Sequence, residues 1–360
     1  MKILLVITGL SMGGAEHVVV NLADELVKRG HQVKIAYLTG QALVLPENPD
    51  IEVISIGMTG AESFFSAYFK LRSLIKSFKP DVVHSHMVHA NILTRLVRLT
   101  VNIPKLICTT HTTNEEGRFR VLAYRLTDKL ADISTNVSEE AVAVSISKGV
   151  AKQGRIVAVV NGIDTAKFSF NGSDRGRLRN DLKITDQKML LAVGRLDIEK
   201  DYPNLLNAIS LLKQKRQDFK VFIVGDGPLK DELLQLRERL QLTDSVEFLG
   251  IRRDVAQLMS AADVFVLSSA WEGFGLVVAE AMSCERVVVA TDCGGVKEVV
   301  GSSGKLVPTK NPSALATALD KVLEMSEEEL IKMGFKAREQ ILQKYSLEAN
   351  TKKYLELYSY

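Results

Sequence analysis

The chain has 360 residues and a formal net charge of +3. This length suffices for two domains with a hydrophobic core each. The charge is too small to indicate a nucleic-acid-binding protein, and no apolar run reaches the ~18 residues that a membrane-spanning helix needs.

The first apolar run, Met1 to Thr8, is short and lacks a cleavage-site pattern, so we expect a first core strand and not a signal peptide. The three cysteines, Cys108, Cys284 and Cys293, lie in or beside apolar runs. This placement favours reduced, structural thiols of a cytosolic protein over a disulfide framework.

Short apolar runs alternate with helix-length segments along the chain, which is typical of parallel sheets covered on both faces by helices. In the first half we predict strands near residues 3–8, 33–38, 51–56, 82–85, 105–109, 133–138 and 156–160. In the second half we predict strands near residues 188–193, 219–224, 246–249, 264–268, 286–290 and 305–307. Residues 161–186 are rich in Gly, Asp, Asn and Arg, and we interpret them as the linker between two doubly wound domains.

In open α/β sheets, ligands bind beyond the carboxyl ends of the strands, so we examined the residues that follow each predicted strand. Gly13 and Gly14 follow the first strand and open a predicted helix from Ala15 to Arg29, whose first N–H groups can face an anion. The pattern is not Gly-x-Gly-x-x-Gly, and no acid follows about twenty residues later, which disfavours a nicotinamide dinucleotide. Asn161 and Gly225 also follow strands.

His84, His86 and His89 are spaced His-x-His-x-x-His, a pattern that can ligate zinc. Against a metal, we expect His84 and His86 to alternate along a strand end and to point to opposite faces of the sheet, which leaves His86 as a ligand-facing residue. His111 follows the fifth strand, where it can donate to a ligand hydroxyl or shuttle a proton. A merely packed histidine remains the alternative at this position.

Residues 70–129 contain eleven Lys and Arg but four Asp and Glu. Such a basic region suits an anionic membrane surface or a phosphate-bearing acceptor. Positions 64, 68, 71, 75 and 78 form an apolar helical stripe that Phe65 and Phe69 widen. Packing on the first sheet is its ordinary explanation, and contact of its outer edge with lipid headgroups is the alternative.

Arg195 and Lys200 follow the first strand of the second half. An Arg fork binds phosphate oxygens in a bidentate way, and Lys supplies a compact point charge. Together they can offset the charge on a diphosphate, although each residue taken alone is as compatible with an ordinary surface position.

Residues 271–282 place Glu272 and Glu280 eight positions apart, across a loop that turns into a helix. Gly273 and Gly275 let the backbone approach a ligand closely, and the helix that opens near Leu276 presents unpaired N–H groups to a phosphate. The carboxylates can accept hydrogen bonds from paired hydroxyls. This pattern indicates a site for a sugar nucleotide, and the alternative is a capped surface helix with two solvated glutamates.

With these motifs, the chain resembles the retaining, nucleotide-sugar-dependent glycosyltransferases of family 4. The resemblance covers essentially the whole chain, and its motifs are Gly13-Gly14-Ala15-Glu16, His111, Asn161-Gly162-Ile163-Asp164, Gly194-Arg195 with Lys200, Gly225-Asp226-Gly227-Pro228, Glu272 with Glu280, and Gly294-Gly295 leading to Glu298. It implies the GT-B architecture, in which two Rossmann-like domains face a central cleft. One departure is Lys200-Asp201, where the family often has Lys-Gly.

The resemblance also implies roles for these residues. Glu280 is expected to bind the ribose hydroxyls, and Glu272 and His111 to contact the transferred sugar. The amides of Phe274, Gly275 and Leu276 are expected to bind the distal phosphate. Gly13, Gly14, Asn161 and Gly225 complete the expected nucleotide-sugar site. No metal cofactor is expected, because Arg195 and Lys200 can replace it.

The expected domains are residues 1–165 for the acceptor, residues 166–342 for the nucleotide sugar, and residues 343–360 as a final helix, around Ser346 to Tyr358, that crosses back to the first domain. The expected enzyme is a hexosyltransferase that moves a sugar from a UDP-sugar or GDP-sugar, UDP being the commoner donor. Its expected acceptor is a lipid-linked oligosaccharide of surface polysaccharide synthesis, of the O-antigen or capsule type. We expect a cytoplasmic enzyme with peripheral membrane contact. The alternatives are an epimerase or hydrolase of sugar nucleotides, and a non-catalytic sugar-nucleotide sensor.

Overall fold

The computed structural model describes residues 1–11, 13–112 and 117–359. The chain divides into two units: unit 1 comprises Met1–Gly162 and Leu347–Tyr360, and unit 2 comprises Ile163–Ser346. The division therefore falls at 162/163, and residues 343–346 belong to unit 2 although the sequence assigned them to the final helix.

Both units are built from parallel strands. Those of unit 1 are β1 (Lys2–Gly9), β2 (Gln32–Thr39), β3 (Glu52–Ser55), β4 (Val82–His86), β5 (Lys105–Thr109), β6 (Ile133–Asn136) and β7 (Ile156–Ala158). Those of unit 2 are β8 (Lys188–Val193), β9 (Phe219–Val224), β10 (Val246–Gly250), β11 (Val264–Leu267), β12 (Val287–Thr291) and β13 (Lys305–Val307). The strand orders are β3-β2-β1-β4-β5-β6-β7 and β10-β9-β8-β11-β12-β13.

Helices connect the strands. In unit 1 they are α1 (Gly14–Lys28), α2 (Phe64–Phe78), α3 (Val88–Val97), α4 (Arg118–Thr127) and α5 (Glu139–Ser147). Unit 2 contains α6 (Gly172–Asp181), α7 (Tyr202–Lys213), α8 (Lys230–Arg239), α9 (Val255–Ala261), α10 (Leu276–Ser283), α11 (Val296–Val300), α12 (Pro312–Leu323) and α13 (Glu327–Lys344). The last helix, α14 (Leu347–Ser359), belongs to unit 1. The two Rossmann-like domains that the sequence predicted are confirmed.

Each sheet of the molecule is covered on both faces, as the continuous apolar runs required. In unit 1, the alternate residues Ile3, Leu5 and Ile7 of β1 face a core that includes α1 and α14. Leu4 and Val6 face the opposite core, which includes α2 and α3. All of these side chains are fully buried.

The predicted linker is wrong over much of its length, because α6 occupies residues 172–181 of it. Asn171 caps this helix by accepting from the amides of Ser173 and Asp174. Its Arg175 and Arg179 pair with Asp263, at 2.5 and 2.9 Å. The N-cap and the two ion pairs with Asp263 thus stabilise α6, a helix that has almost no apolar face.

No helix within the described residues is both long enough and apolar enough to cross a bilayer. The three cysteines are buried and are not joined in disulfides.

Candidate active site

The loop that carries Glu272 runs from the end of β11 to the first turn of α10. Gly275 is the N-cap residue of α10, with φ of +85°, and as a glycine it supplies no side-chain cap of its own. A Cβ atom at Gly275 would lie 2.9 Å from Val296 Cγ2, so both the backbone angle and the neighbour require glycine. The first amides of α10 therefore begin at a tight glycine turn, as the sequence predicted for a phosphate site.

Gly294, which has φ of +53°, packs directly against the backbone of Glu272. A Cβ atom at Gly294 would overlap the carbonyl oxygen of Glu272. This close approach of two loops, one after β11 and one after β12, determines where the Glu272 side chain begins.

The Glu272 carboxylate binds Lys200. Lys200 Nζ lies 2.5 Å from Glu272 Oε1, and Ser269 Oγ donates to the same oxygen at 2.8 Å. Burial alone lowers the pKa of Lys200, but the attraction and hydrogen bond of Glu272 raise it above its ordinary value. Lys200 is therefore cationic at neutral pH and is held against Glu272, a residue of the loop that leads into α10.

Arg195 is the second predicted cation, and the structure leaves it exposed. Its side chain is 72% exposed, and Asp197 Oδ2 lies 3.8 Å from its Nε. The loop below it is tight, because a Cβ atom at Gly225, whose φ is +140°, would overlap the carbonyl oxygen of Gly194. Gly225 thus serves the packing of two strand ends, and the guanidinium of Arg195 stays exposed, with Asp197 as a distant ion-pair partner.

Glu280 lies in the second turn of α10 and is half-buried. Burial raises the pKa of its carboxyl to about 7, and Lys167 lowers it by a smaller amount. The carboxyl therefore titrates near neutrality when no ligand is bound. Phe274 is different, because its ring is 2% exposed and packs against Tyr345 at 5.6 Å. Only the backbone of Phe274 can serve a ligand.

In unit 1, α1 begins after Gly13, whose extended backbone forms the N-cap. Gly14 is the first residue of this helix. Ser11 Oγ donates to Glu16 Oε1 at 2.8 Å, and a Cβ atom at Gly13 would overlap the Glu16 carboxylate. A protein carboxylate therefore already lies at this helix N-terminus, where the sequence predicted room for an anion.

The expectation that His84 and His86 point to opposite faces is wrong. Residues two apart on a strand share a face, and the two rings lie 4.0 Å apart between centroids. His84 Nδ1 lies 2.7 Å from Tyr358 Oη of α14, and His84 Nε2 lies 2.6 Å from Thr109 Oγ1. Both ring nitrogens of His84 are thus engaged with protein hydroxyls, so it is a packed residue.

His111 pairs with His86. His86 Nδ1 lies 3.1 Å from His111 Nε2, and the rings stack at 5.4 Å. Within the described residues, no hydrogen-bond partner reaches the buried His111 Nδ1 or His86 Nε2. Burial lowers the pKa of His111 to about 4, so its ring is neutral at physiological pH. One ring nitrogen of His111 is therefore fixed by His86, and the other is buried without a partner among the described residues.

Asn161 follows β7 and is 4% exposed. Its Oδ1 has no partner within the described part of the chain. The next residue, Gly162, packs on α14, because a Cβ atom there would lie 2.9 Å from Leu347 Cα. Asn161 thus occupies the junction at which unit 1 and its last helix meet.

The structure brings together some of the predicted residues within each unit. Lys200 and Glu272 bind each other, and Gly225 packs under the loop of Arg195. Within the described residues, Glu280 forms no hydrogen bond or ion pair with either member of the Lys200–Glu272 pair. Sequence reasoning missed Ser269, although it stands two residues after β11 and the strand-end rule would have found it. It also missed Tyr358, for which no local signal exists.

Comparisons with known families match both units. Residues 12–167 match the family described as Glycosyltransferase Family 4, and residues 174–340 match the family described as Glycosyl transferases group 1. The two matches together cover nearly the whole chain. The chain belongs to the family 4 glycosyltransferases.

Individual relatives share part or all of this length. An uncharacterized glycosyltransferase of Methanocaldococcus jannaschii is 29% identical over 64% of this chain, which spans 61% of that relative. The N-acetylgalactosamine-N,N'-diacetylbacillosaminyl-diphospho-undecaprenol 4-alpha-N-acetylgalactosaminyltransferase of Campylobacter jejuni is 34% identical over 49% of this chain and 48% of its own length.

Among solved structures, HepE from Anabaena in complex with UDP-glucose superposes with a TM-score of 0.87 at 24% identity. The match covers 100% of this glycosyltransferase and 99% of HepE. At that identity the likeness shows a shared fold, and the neighbours establish the GT-B architecture.

Proposed function

We propose that this glycosyltransferase moves a sugar from a UDP-sugar to a lipid-linked glycan with retention of anomeric configuration and without a metal ion. One observation carries the proposal: Lys200 is held by Glu272, on the loop that leads through the tight turn at Gly275 into α10. A lysine, an exposed arginine and helix amides together make a site for a diphosphate.

In the proposed donor complex, the amides of residues 274–276 and the side chains of Lys200 and Arg195 hold the diphosphate. Glu280 accepts hydrogen bonds from the ribose hydroxyls as a carboxylate. Glu272 and His111 are proposed to contact the transferred sugar, as the family resemblance implies. The complexes of HepE with UDP and with UDP-glucose support a uridine nucleotide.

The chemistry needs positive charge where the sugar–phosphate bond breaks. The Lys200 ammonium and the Arg195 guanidinium both supply positive charge, so both stabilise the leaving diphosphate without a metal. For retention we propose a front-face attack: the acceptor oxygen bonds to the anomeric carbon as the bond to the phosphate oxygen breaks. The acceptor proton passes to that phosphate oxygen, so no protein nucleophile takes part.

The acceptor is proposed to be a sugar linked to a polyprenyl diphosphate, in the assembly of a surface polysaccharide at the cytoplasmic side of a membrane. The Campylobacter relative acts, by its name, on a diphospho-undecaprenol-linked sugar. The eleven cations in residues 70–129 of unit 1 also favour an acceptor that carries phosphate.

The test is a transfer assay with UDP-sugars and GDP-sugars, a polyprenyl-diphosphate-linked acceptor and the product anomer determined by NMR. We expect transfer from a UDP-sugar, an α-linked product from an α-donor, and an unchanged rate in excess EDTA. Binding of UDP should change the fluorescence of Trp271, the single tryptophan, which precedes Glu272.

Four outcomes would contradict the proposal. Loss of transfer in EDTA would reject the metal-free site, and an inverted product would reject the front-face attack. Rapid consumption of the donor without acceptor would indicate an epimerase or hydrolase instead. Donor binding without turnover on any acceptor would indicate a sensor.

A further inference from the structure

The helices on one face of unit 1 carry large apolar side chains on their outer surface. On α4, Phe119 is 89% exposed, Leu122 48% and Leu126 73%. On α2, Phe65 is 73% exposed and Phe69 61%. Residues three or four apart share a side of a helix, so each helix presents an apolar stripe to the outside.

These two stripes belong to one layer, because α3 contacts both α2 and α4. Single exposed apolar residues are normal on a protein surface. Two helices of one layer with five exposed aromatic or leucine side chains between them are a different case, since large apolar patches mark sites of interaction. On α4 only Tyr124 is buried, so nearly the whole helix faces outward.

The same surface is basic. The helix α4 contains Arg118, Arg120 and Arg125 and no acid, and the exposed Lys129 follows it. A depression of about 540 Å³ lies beside the stripe and is lined by Gly117, Arg118, Val121, Leu122, Arg125 and Lys148. Three cations around a space of this size suit a phosphate-containing headgroup.

The helix α13 of unit 2 also exposes apolar side chains, but it lacks the excess of cations found on α4. Its Ile331 and Phe335 are 51% and 55% exposed, on one side of the helix. However, the four acids of α13 balance its four cations: Glu327, Glu328, Glu329 and Glu339 stand against Lys332, Lys336, Arg338 and Lys344. Both helices thus expose large apolar side chains, but only α4 combines them with an excess of cations.

We propose that the outer surface of α4, together with that of α2, binds the face of an anionic phospholipid bilayer. Phe119, Leu122 and Leu126 enter the interfacial region, and the arginines bind lipid phosphates. Amphipathic helices with aromatic and basic residues bind membranes in this way. The inference rests on this surface and is independent of the proposed transfer reaction, although docking there brings the enzyme to lipid-linked acceptors.

The experiment is sedimentation of the full-length protein with vesicles of phosphatidylglycerol and phosphatidylethanolamine, and with vesicles of phosphatidylcholine alone. The apolar variant is Phe119→Ser with Leu126→Ser, and the charge variant is Arg118→Gln with Lys129→Gln. The matched control is Ile331→Ser with Phe335→Ser on α13. Donor binding, followed through Trp271, shows that each variant is folded.

We expect binding to anionic vesicles that is at least about tenfold tighter than to phosphatidylcholine. Each cation near an anionic surface contributes about fivefold in affinity, so the charge variant should bind about twentyfold more weakly. The apolar variant should bind at least about tenfold more weakly. The α13 control should bind like wild type, and ~1 M salt should release the protein.

The inference fails if wild type ignores anionic vesicles, or if the α13 control loses as much binding as the α4 variants. It also fails if sedimentation velocity without lipid shows a dimer that the α4 variants abolish, because a second copy of the chain then covers this surface. None of these outcomes changes the transfer assay with a water-soluble acceptor, so failure here is separable from failure of the proposed function.

Discussion

The two units hold their candidate site residues by different means. In unit 2, the Glu272 loop is fixed by backbone, because Gly294 packs directly on the carbonyl of Glu272. In unit 1, His111 is held by side chains: it pairs with His86, which stacks on His84, and His84 binds Tyr358, 274 positions away in the sequence.

This difference determines which substitutions each unit tolerates. A loop fixed by close backbone approach fails when any side chain is added, since backbone atoms cannot rotate away. A stack of side chains can lose one hydrogen bond and repack. We therefore expect large, all-or-none effects in unit 2 and graded effects in unit 1.

The largest effect is expected for Lys200→Met, which removes the cation bound to Glu272. Loss of one preorganised charge at a reacting phosphate costs about 10²–10³-fold in kcat. The matched control is Lys230→Met, which removes a lysine from its exposed pair with Asp226 at 2.9 Å and should leave kcat within about twofold. Steady-state kinetics with the UDP-sugar measures both. If the Lys200→Met enzyme keeps a third of the wild-type kcat, the proposal that Lys200 belongs to the diphosphate site is wrong.

The next effect is expected for Gly294→Ala. The new Cβ would overlap Glu272, so the loop must move, and we expect about 2–4 kcal/mol lost from the free energy of unfolding and about 30-fold lost in kcat/KM. Gly250→Ala is the control, because Gly250 also has positive φ, +65°, but nothing lies within 4 Å of its Cβ position. It should lose only about 1–2 kcal/mol. Denaturant unfolding and steady-state kinetics distinguish the two variants. Equal losses of stability in both would show that backbone strain at positive φ, and not overlap with Glu272, causes the loss.

A graded effect is expected in unit 1 for His86→Phe, which keeps the stacked ring but removes the bond to His111. We expect about a tenfold fall in kcat, partly restored in His86→Asn, whose amide can still donate. Because burial lowers the pKa of His111 to about 4, kcat should show no histidine limb between pH 5.5 and 8. A limb near pH 6.5 that His111→Gln removes would contradict this geometry.

Glu280→Gln should weaken UDP binding about tenfold while stabilising the protein. Burial raises the pKa of the folded carboxyl from 4.5 to about 7, so between these values the folded state holds a proton that the unfolded state has lost. The stabilisation from this group is complete below pH 4.5 and is lost as pH rises through 7.

At pH 8 the free energy of unfolding of the Gln variant should therefore be about 2–3 kcal/mol higher than that of wild type. At pH 4.5 the two free energies should be equal. Urea titrations at both pH values measure this. The control is Glu324→Gln, at an exposed carboxylate that ends α12. It should leave the free energy of unfolding unchanged at both pH values. A Gln variant that is less stable at pH 8 would show that Glu280 is stabilised as a carboxylate in the free protein.

The smallest effect is expected for Tyr358→Phe, which removes the hydroxyl bound to His84. We expect about 1 kcal/mol of stability lost and less than threefold in kcat/KM. Tyr345→Phe removes a comparable bond in unit 2, from Tyr345 Oη to the Glu298 carbonyl at 2.8 Å. Both variants should lose similar stability, but only Tyr358→Phe should alter the ¹⁵N shifts of the His84 ring. Unchanged shifts would show that His84 does not depend on α14.

The sequence predicted all thirteen strands of the described residues, because buried parallel strands are continuous apolar runs. It did not predict α6, since a helix with one buried residue, Leu178, has no periodicity to find. The Glu272 loop was predictable from its glycines and its position after a strand. Its bond to Lys200, 72 positions away, was not, because pairing between loops depends on how strands are ordered in the sheet.

The histidines show the second limit of sequence reasoning. Placing His84 and His86 on opposite faces was an error in applying the two-residue period of a strand, and the sequence alone contained the correct answer. Their contact with α14 was not accessible in the same way. A helix that begins at Leu347 can pack on either face of a sheet, and only the apolar faces of the assembled fold select one.

The position of α14 in unit 1 also bears on how the molecule is made. Unit 2 is one uninterrupted stretch, Ile163–Ser346, inserted between two pieces of unit 1. During translation, the polypeptide that emerges second can therefore complete its core first. The hydrophobic surface of α1 and β1 that Tyr354 covers stays open until the final helix leaves the ribosome, which makes the nascent first domain a natural client for chaperones.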